Sequence, residues 1–213
     1  PRVSLLTGLY CDQAGSASLS RGATIAEVLG SAGYSTAMAG KWHLSGNPLD
    51  FGFERYWGHL SGATNFFTGD NTFRLGAEKW EVPATLNGKP FYTTNAITDF
   101  AIEFVDEMLA GKQEDPPDSQ FLLYLAYNAP HYPLQAPEKE IAKHKGVYDA
   151  GWDELRKQRY RKQLKSGLFP RDYKLSPRPR HVPSWESLSA ADRKWESRRM
   201  EVFAAMVDVV DQN

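Results

Sequence analysis

Cysteine is nearly absent from the 213 residues: Cys11 stands alone, which excludes an internal disulfide and any cysteine-built metal cluster. Long apolar runs are also missing, so no segment is suited to span a membrane, and no secretory leader is visible. Ser4 has no Gly-x-Ser-x-Gly elbow around it and is expected in a first helix rather than in a catalytic triad. No internal repeat or low-complexity tract is present. A large excess of either charge is lacking too, since 25 Lys and Arg face 26 Asp and Glu. One basic run stands out, from Arg156 to His181, but prolines interrupt it and no nucleic-acid motif accompanies it. It reads as a solvated helix and loop that helps draw in anionic substrates, with neither nucleic acid nor membrane as a partner. Lack of disulfide pairs fits a bacterial cytoplasm better than an extracellular setting, and the bacterial cytoplasm or periplasm is the expected location.

What is present is a chain with 41% hydrophobic residues, enough to bury a core as one domain or part of one. Thr24-Ile25-Ala26-Glu27 has capping-box spacing, and Ile25, Val28, Leu29 and Ala32 keep helical period up to Gly33. A second apolar stripe runs from Ala96 through Ile97, Phe100, Ala101, Phe104, Val105 and Met108 to Leu109, ending before Gly111. Each helix precedes an apolar strand: one from Gly33 to Gly40, the other from Phe121 to Tyr127. Continuous rather than alternating hydrophobicity implies strands covered on both faces. The expected class is therefore α/β, with a mixed, mainly parallel sheet sandwiched by helices.

The chemistry gathers where these strands end. Gly40-Lys41-Trp42-His43 would place Lys41 and His43 on one side of an extended backbone with Trp42 on the other, a cation beside an imidazole. Gly40 would let the chain turn as it leaves the sheet, where open α/β sheets place ligands. The second strand leads into Asn128-Ala129-Pro130-His131. A lone Lys-x-His is commonly a surface lysine and a structural histidine; the agreement of several motifs argues otherwise here. His59 lies in a Gly/Ser-rich connector and reads as a polar loop residue, while His144 and His181 read as solvated. Gly69-Asp70-Asn71-Thr72 reads as a turn rather than a metal-ligand pair, and Asp208 and Asp211 as the wet side of a helix. Elsewhere, Asn87-Gly88 marks a hairpin turn beside the site, Gly111 to Gln120 a charged loop, Trp152 to Ser166 a polar helix and Ser176 to Pro183 a linker. Ser189 then caps a long last helix, with Asp192 three residues on.

These segments resemble the sulfatase family of the alkaline phosphatase superfamily. Arg2-Val3-Ser4-Leu5-Leu6-Thr7-Gly8 matches the second half of the signature Cys/Ser-x-Pro-Ser/Thr/Ala-Arg-x-x-Leu-Leu-Thr-Gly, with Pro1 standing where the family has Ser, Thr or Ala. Gly33-Tyr34-Ser35-Thr36-Ala37-Met38-Ala39-Gly40-Lys41-Trp42-His43-Leu44 matches its second signature, and Ala129-Pro130-His131-Tyr132-Pro133 its Pro-His-x-Pro segment. Asp50 to Glu54, Gly58 to Asn65, Tyr148 to Asp153 and Met200 to Asp208 are similar to further segments of the family.

The resemblance implies an alkaline phosphatase-like sulfatase fold, incomplete in this chain, with residues 1–213 expected as part of the N-terminal catalytic domain of a longer enzyme. It implies hydrolysis of small-molecule sulfate esters by a formylglycine that a maturation enzyme makes from an upstream Cys or Ser; Cys11 stands too far along to be that residue. The implied metal is Ca2+, with its family ligands outside the chain and none within it. Arg2 would fix the formylglycine hydroxyl, Lys41 would bind a sulfate oxygen, His43 would accept a proton as sulfate leaves, and His131 would face the leaving alcohol. Alternatives are a phosphonate or phosphate monoester hydrolase of the same superfamily and a non-catalytic homologue that binds sulfated ligands. The alcohol part of the substrate is left open, because specificity resides in variable loops.

Overall fold

A computed structural model describes residues 1–110 and 120–213. Most of the charged loop expected from Gly111 lies outside the described residues. The chain divides into two compact units, residues 1–133 with 210–213, and residues 134–209.

The first unit is built on a five-stranded sheet. Helices α1 (Arg2–Thr7) and α2 (Ile25–Ser31) precede its central strand, β1 (Ser35–Gly40). β2 (Arg55–His59) pairs parallel with β1, while β3 (Phe73–Leu75) and β4 (Glu78–Lys79) continue the sheet antiparallel. After a separate hairpin, β5 (Thr85–Leu86) and β6 (Lys89–Pro90), the long helix α3 (Thr93–Ala110) leads into β7 (Phe121–Ala126), which pairs parallel with the other side of β1. The order is β4-β3-β2-β1-β7.

Local signals account for these elements. Thr24 accepts from the Glu27 amide and the Glu27 side chain accepts from the Thr24 amide, so the capping box opens α2 as expected. Asn87 and Gly88 both have positive φ, 51° and 73°, as a two-residue hairpin turn requires. That hairpin bonds to α3 through Asn87 and Asp99 and does not reach Lys41 or either site histidine through any described contact.

The sheet is covered on both faces at its centre. Ala37, Ala39, Trp57 and Phe73 pack against Ile97, Phe100, Ala101 and Phe104 of α3, with the Trp57 and Phe100 rings stacked at 4.3 Å. On the other face Met38, Trp42, Phe53 and Tyr56 meet Val3, Leu6 and Ala26 of the two short helices. Burying one such large side chain contributes about 1.5–3 kcal/mol. β7 departs from the expectation: Phe121 and Leu125 remain 40% and 39% exposed. It is the edge strand among the described residues, with β1 its one strand neighbour, so its continuous apolar run does not imply cover on both faces here.

The second unit holds α4 (Glu138–Ala142), α5 (Gly151–Lys165) and most of α6 (Ala190–Gln212). Ser189 accepts from the Asp192 amide at 3.1 Å and opens α6 as its capping residue. Trp152 and Trp185 meet edge to face, and Asp153 accepts from the Trp185 amide and from Arg178. Arg178 and Arg156, both from the basic run, are therefore partnered, the latter by Ser176. His144 is half-buried, 3.4 Å from Asp208, and not simply solvated, because α4 and the turn after it lie along α6.

Backbone packs directly on backbone at the end of β1. A Cβ on Gly58 would run into the Gly40 carbonyl, and one on Gly40 into the carbonyl of Ala126, while both glycines have positive φ. Gly58→Ala is expected to cost about 3 kcal/mol or more through overlap and backbone strain. Urea unfolding checks this, and a variant as stable as the parent would refute the close packing.

Candidate active site at the carboxyl end of the sheet

Lys41 leaves the sheet bonded to both neighbours. Its amide donates to Ala126 O at 2.8 Å, the Trp42 amide to His59 O at 3.0 Å, and the His43 amide to Leu60 O at 3.2 Å. The backbone is not extended here as the sequence reading assumed, since β1 ends at Gly40 and His43 has φ 57°. Lys41 and His43 still converge, since both side chains meet the backbone of Gly62. Trp42 goes the other way, fully buried beside Phe51 and Phe53 with its indole N–H on Ser45 O.

Arg2 comes from the start of α1 and donates from Nη1 to Lys41 O at 2.7 Å and to the Tyr124 hydroxyl at 2.9 Å. Lys41 is 5% exposed. Its Nζ donates to the carbonyl of Gly62, and no carboxylate pairs with it among the described residues. Burial, then Arg2, pushes the Lys41 ammonium below its ordinary pKa. His43 is exposed yet also lowered, by partial burial first and then by Lys41, Arg2 and His131. The structure thus brings Arg2, Lys41, His43 and His131 into one electrostatic neighbourhood. His131 lies in the turn after β7, solvent-exposed, with Nδ1 2.7 Å from Tyr132 O.

His59 is not the loop residue its connector predicts. It is the last residue of β2, fully buried against Phe73, with Nδ1 3.0 Å from Ser61 Oγ and no partner for Nε2 among the described residues. Its cover comes from a strand pairing with Phe73, a residue fourteen positions on, which no local period in the sequence reports. Burial above all brings its pKa down to about 4. Asp70 lies in a turn, as expected; hydrogen bonds from Thr72 and Ser61 outweigh its burial and hold its carboxyl below the usual range. Among the described residues no group of three or more His, Cys, Asp or Glu is arranged to hold a metal.

A model of the Sulfatase family matches residues 2–213. The chain belongs to the sulfatase family. It is 35% identical over 209 residues to an uncharacterized sulfatase of Schizosaccharomyces pombe, covering 91% of this chain and 36% of that protein. It is 32% identical over 199 residues to an arylsulfatase of Klebsiella aerogenes, covering 88% and 41%. The sulfatase chain thus spans about two fifths of the length of these relatives. Among solved structures, yidJ from Bacteroides fragilis superposes with TM-score 0.64 at 16% identity, covering 99% of this chain and 45% of that one. Ps i-CgsB in complex with k-i-k-neocarrahexaose gives 0.58 at 23%, covering 99% and 41%. These likenesses establish the alkaline phosphatase-like α/β fold, a mixed sheet flanked by helices.

His59 supplies an acid-sensitive step in this sulfatase's stability. Its folded pKa lies below the unfolded value, so its contribution is complete above about pH 6.5 and is lost as pH falls toward about 4. The loss is about 3 kcal/mol at most. In His59→Phe, unfolding midpoints should fall less between pH 7 and pH 4 than in the parent; an equal fall would refute the assignment.

Proposed function

We propose that this chain carries the anion-binding part of the active site of a sulfuric ester hydrolase, arylsulfatase-like, acting on small-molecule sulfate monoesters. One observation carries the reading: Lys41 is buried beside Arg2 with no carboxylate partner among the described residues, and it adjoins the exposed His43. Two neighbouring cations in a partly dry place favour an anion, and the field they set up is strongest where charge accumulates as an ester cleaves.

In this reading Lys41 binds a sulfate oxygen and neutralises developing charge. Arg2, a permanently charged rigid fork tied to Lys41 O and Tyr124, fixes the reacting group by charge. His43, its pKa lowered by partial burial and then by Lys41, Arg2 and His131, accepts a proton at a ring nitrogen, and His131 places a proton or hydrogen bond on the leaving alcohol oxygen. The attack on sulfur would be supplied by the formylglycine that the family resemblance implies, formed by a maturation enzyme from a Cys or Ser. The described residues offer no cluster fit to hold the implied Ca2+, so no step is assigned to it. Residues 1–213 belong, on this proposal, to the catalytic domain.

In the full-length protein Lys41→Ala should lower kcat/KM on an aryl sulfate by roughly 10²-fold or more, as loss of a preorganised charge partner does. Near-normal kinetics would sink the role. Matched aryl esters test the substrate: faster turnover of the phosphate would assign a phosphate or phosphonate hydrolase, and sulfate binding without turnover a binding homologue.

A further inference from the structure

Two of these side chains meet a single glycine. Lys41 Nζ donates to the Gly62 carbonyl, and a Cβ on Gly62 would stand 2.5 Å from His43 Nε2, so the imidazole lies directly on the Gly62 backbone. The requirement there is for space, since Gly62 has no positive φ.

The corner carrying Gly62 is tied down from behind. Leu60 donates its amide to Thr72 O at 3.3 Å, and Ser61 its amide to Thr72 Oγ1 at 3.2 Å. The Ser61 hydroxyl donates to Asp70 Oδ2 at 2.8 Å, while Asp70 Oδ1 accepts from the Thr72 amide at 2.7 Å and from the Thr72 hydroxyl at 2.5 Å. Ser61 Oγ is also 3.0 Å from Ala63 O, but its one proton goes to the carboxylate, the stronger acceptor. The Ser61 oxygen is then free to accept from His59 Nδ1–H at 3.0 Å, which fixes the buried imidazole as well. Asp70 makes no ion pair among the described residues, so its charge serves the donors of this corner.

We propose that the Ser61–Gly62 corner, clamped by Asp70, is the element that sets Lys41 and His43 side by side, with Ser61 and Asp70 as positioning residues. Gly62 does two things at once: its carbonyl orients the ammonium and its bare Cα seats the imidazole. Asp70 holds that corner at a fixed distance from the end of β1. The consequence for catalysis rests on the sulfate-ester reading above; the consequence for His43 does not.

The test compares the full-length parent with Gly62→Ala, Ser61→Ala, Asp70→Ala and Asp70→Asn. Steady-state rates on an aryl sulfate are measured, together with thermal unfolding and the pH dependence of His43 modification by diethyl pyrocarbonate, located by peptide mass spectrometry. Gly62→Ala and Asp70→Ala should lower kcat by about 10²-fold with a smaller change in KM, the scale expected for a misplacement near 1 Å. Asp70→Asn, which keeps an acceptor for Thr72, should recover part of the loss. The His43 pKa should rise toward the ordinary imidazole value as the ring leaves its partly buried seat on Gly62 and the company of Lys41, Arg2 and His131. Folded Asp70→Ala and Ser61→Ala proteins with parental kcat and an unmoved His43 titration would overturn the proposal. Should Gly62→Ala fail to fold, Ser61→Ala and Asp70→Asn decide. A parent that turns over no sulfate ester would refute the functional reading, and the His43 titration alone would then judge the corner.

Discussion

The site depends on how the last residues of β1 are held. Gly40 and Gly58 let three backbones approach without side chains between them, and the amides of Lys41, Trp42 and His43 then find acceptors on β7, β2 and the corner after β2. Buried amides must be bonded, so this stretch has little freedom to move once the sheet forms. Arg2 adds a charged hydrogen bond to the Lys41 carbonyl and another to Tyr124 on β7. One backbone junction therefore fixes a cation from α1, a cation from β1 and the imidazole that follows.

Electrostatics then gives the junction its character. Burial, then the charges of Lys41, Arg2 and His131, pushes the His43 imidazole below its ordinary pKa, and burial, then Arg2, does the same to Lys41. Such an arrangement costs stability, because a buried ammonium with no counterion loses hydration without full return. The cost is intelligible if the partner is a ligand rather than a side chain. Asp70 bonds instead to Thr72 and Ser61.

Much of the fold was legible in the residues. The Thr24 and Ser189 caps, the Asn87-Gly88 turn and the apolar stripe of α3 each follow from local chemistry that survives in the tertiary structure. The cover on β7 was not legible, because an apolar run reports that a strand is built for burial and not what lies against it in this chain. The burial of His59 was not legible for a related reason: it precedes the Gly- and Ser-containing stretch Leu60 to Asn65, and its cover comes from Phe73 across a strand pairing.

The sequence by itself determined where the candidate side chains fall: Arg2 opening a helix, Lys41 and His43 after one strand, His131 after another. These are matters of local order along the chain. Tertiary structure alone decided that His43 takes a left-handed backbone, that Gly62 meets both Lys41 and His43, and that Asp70 accepts from Ser61 and Thr72. Those facts rest on contacts between segments distant in sequence, such as Arg2 with Tyr124, whose register no local pattern encodes.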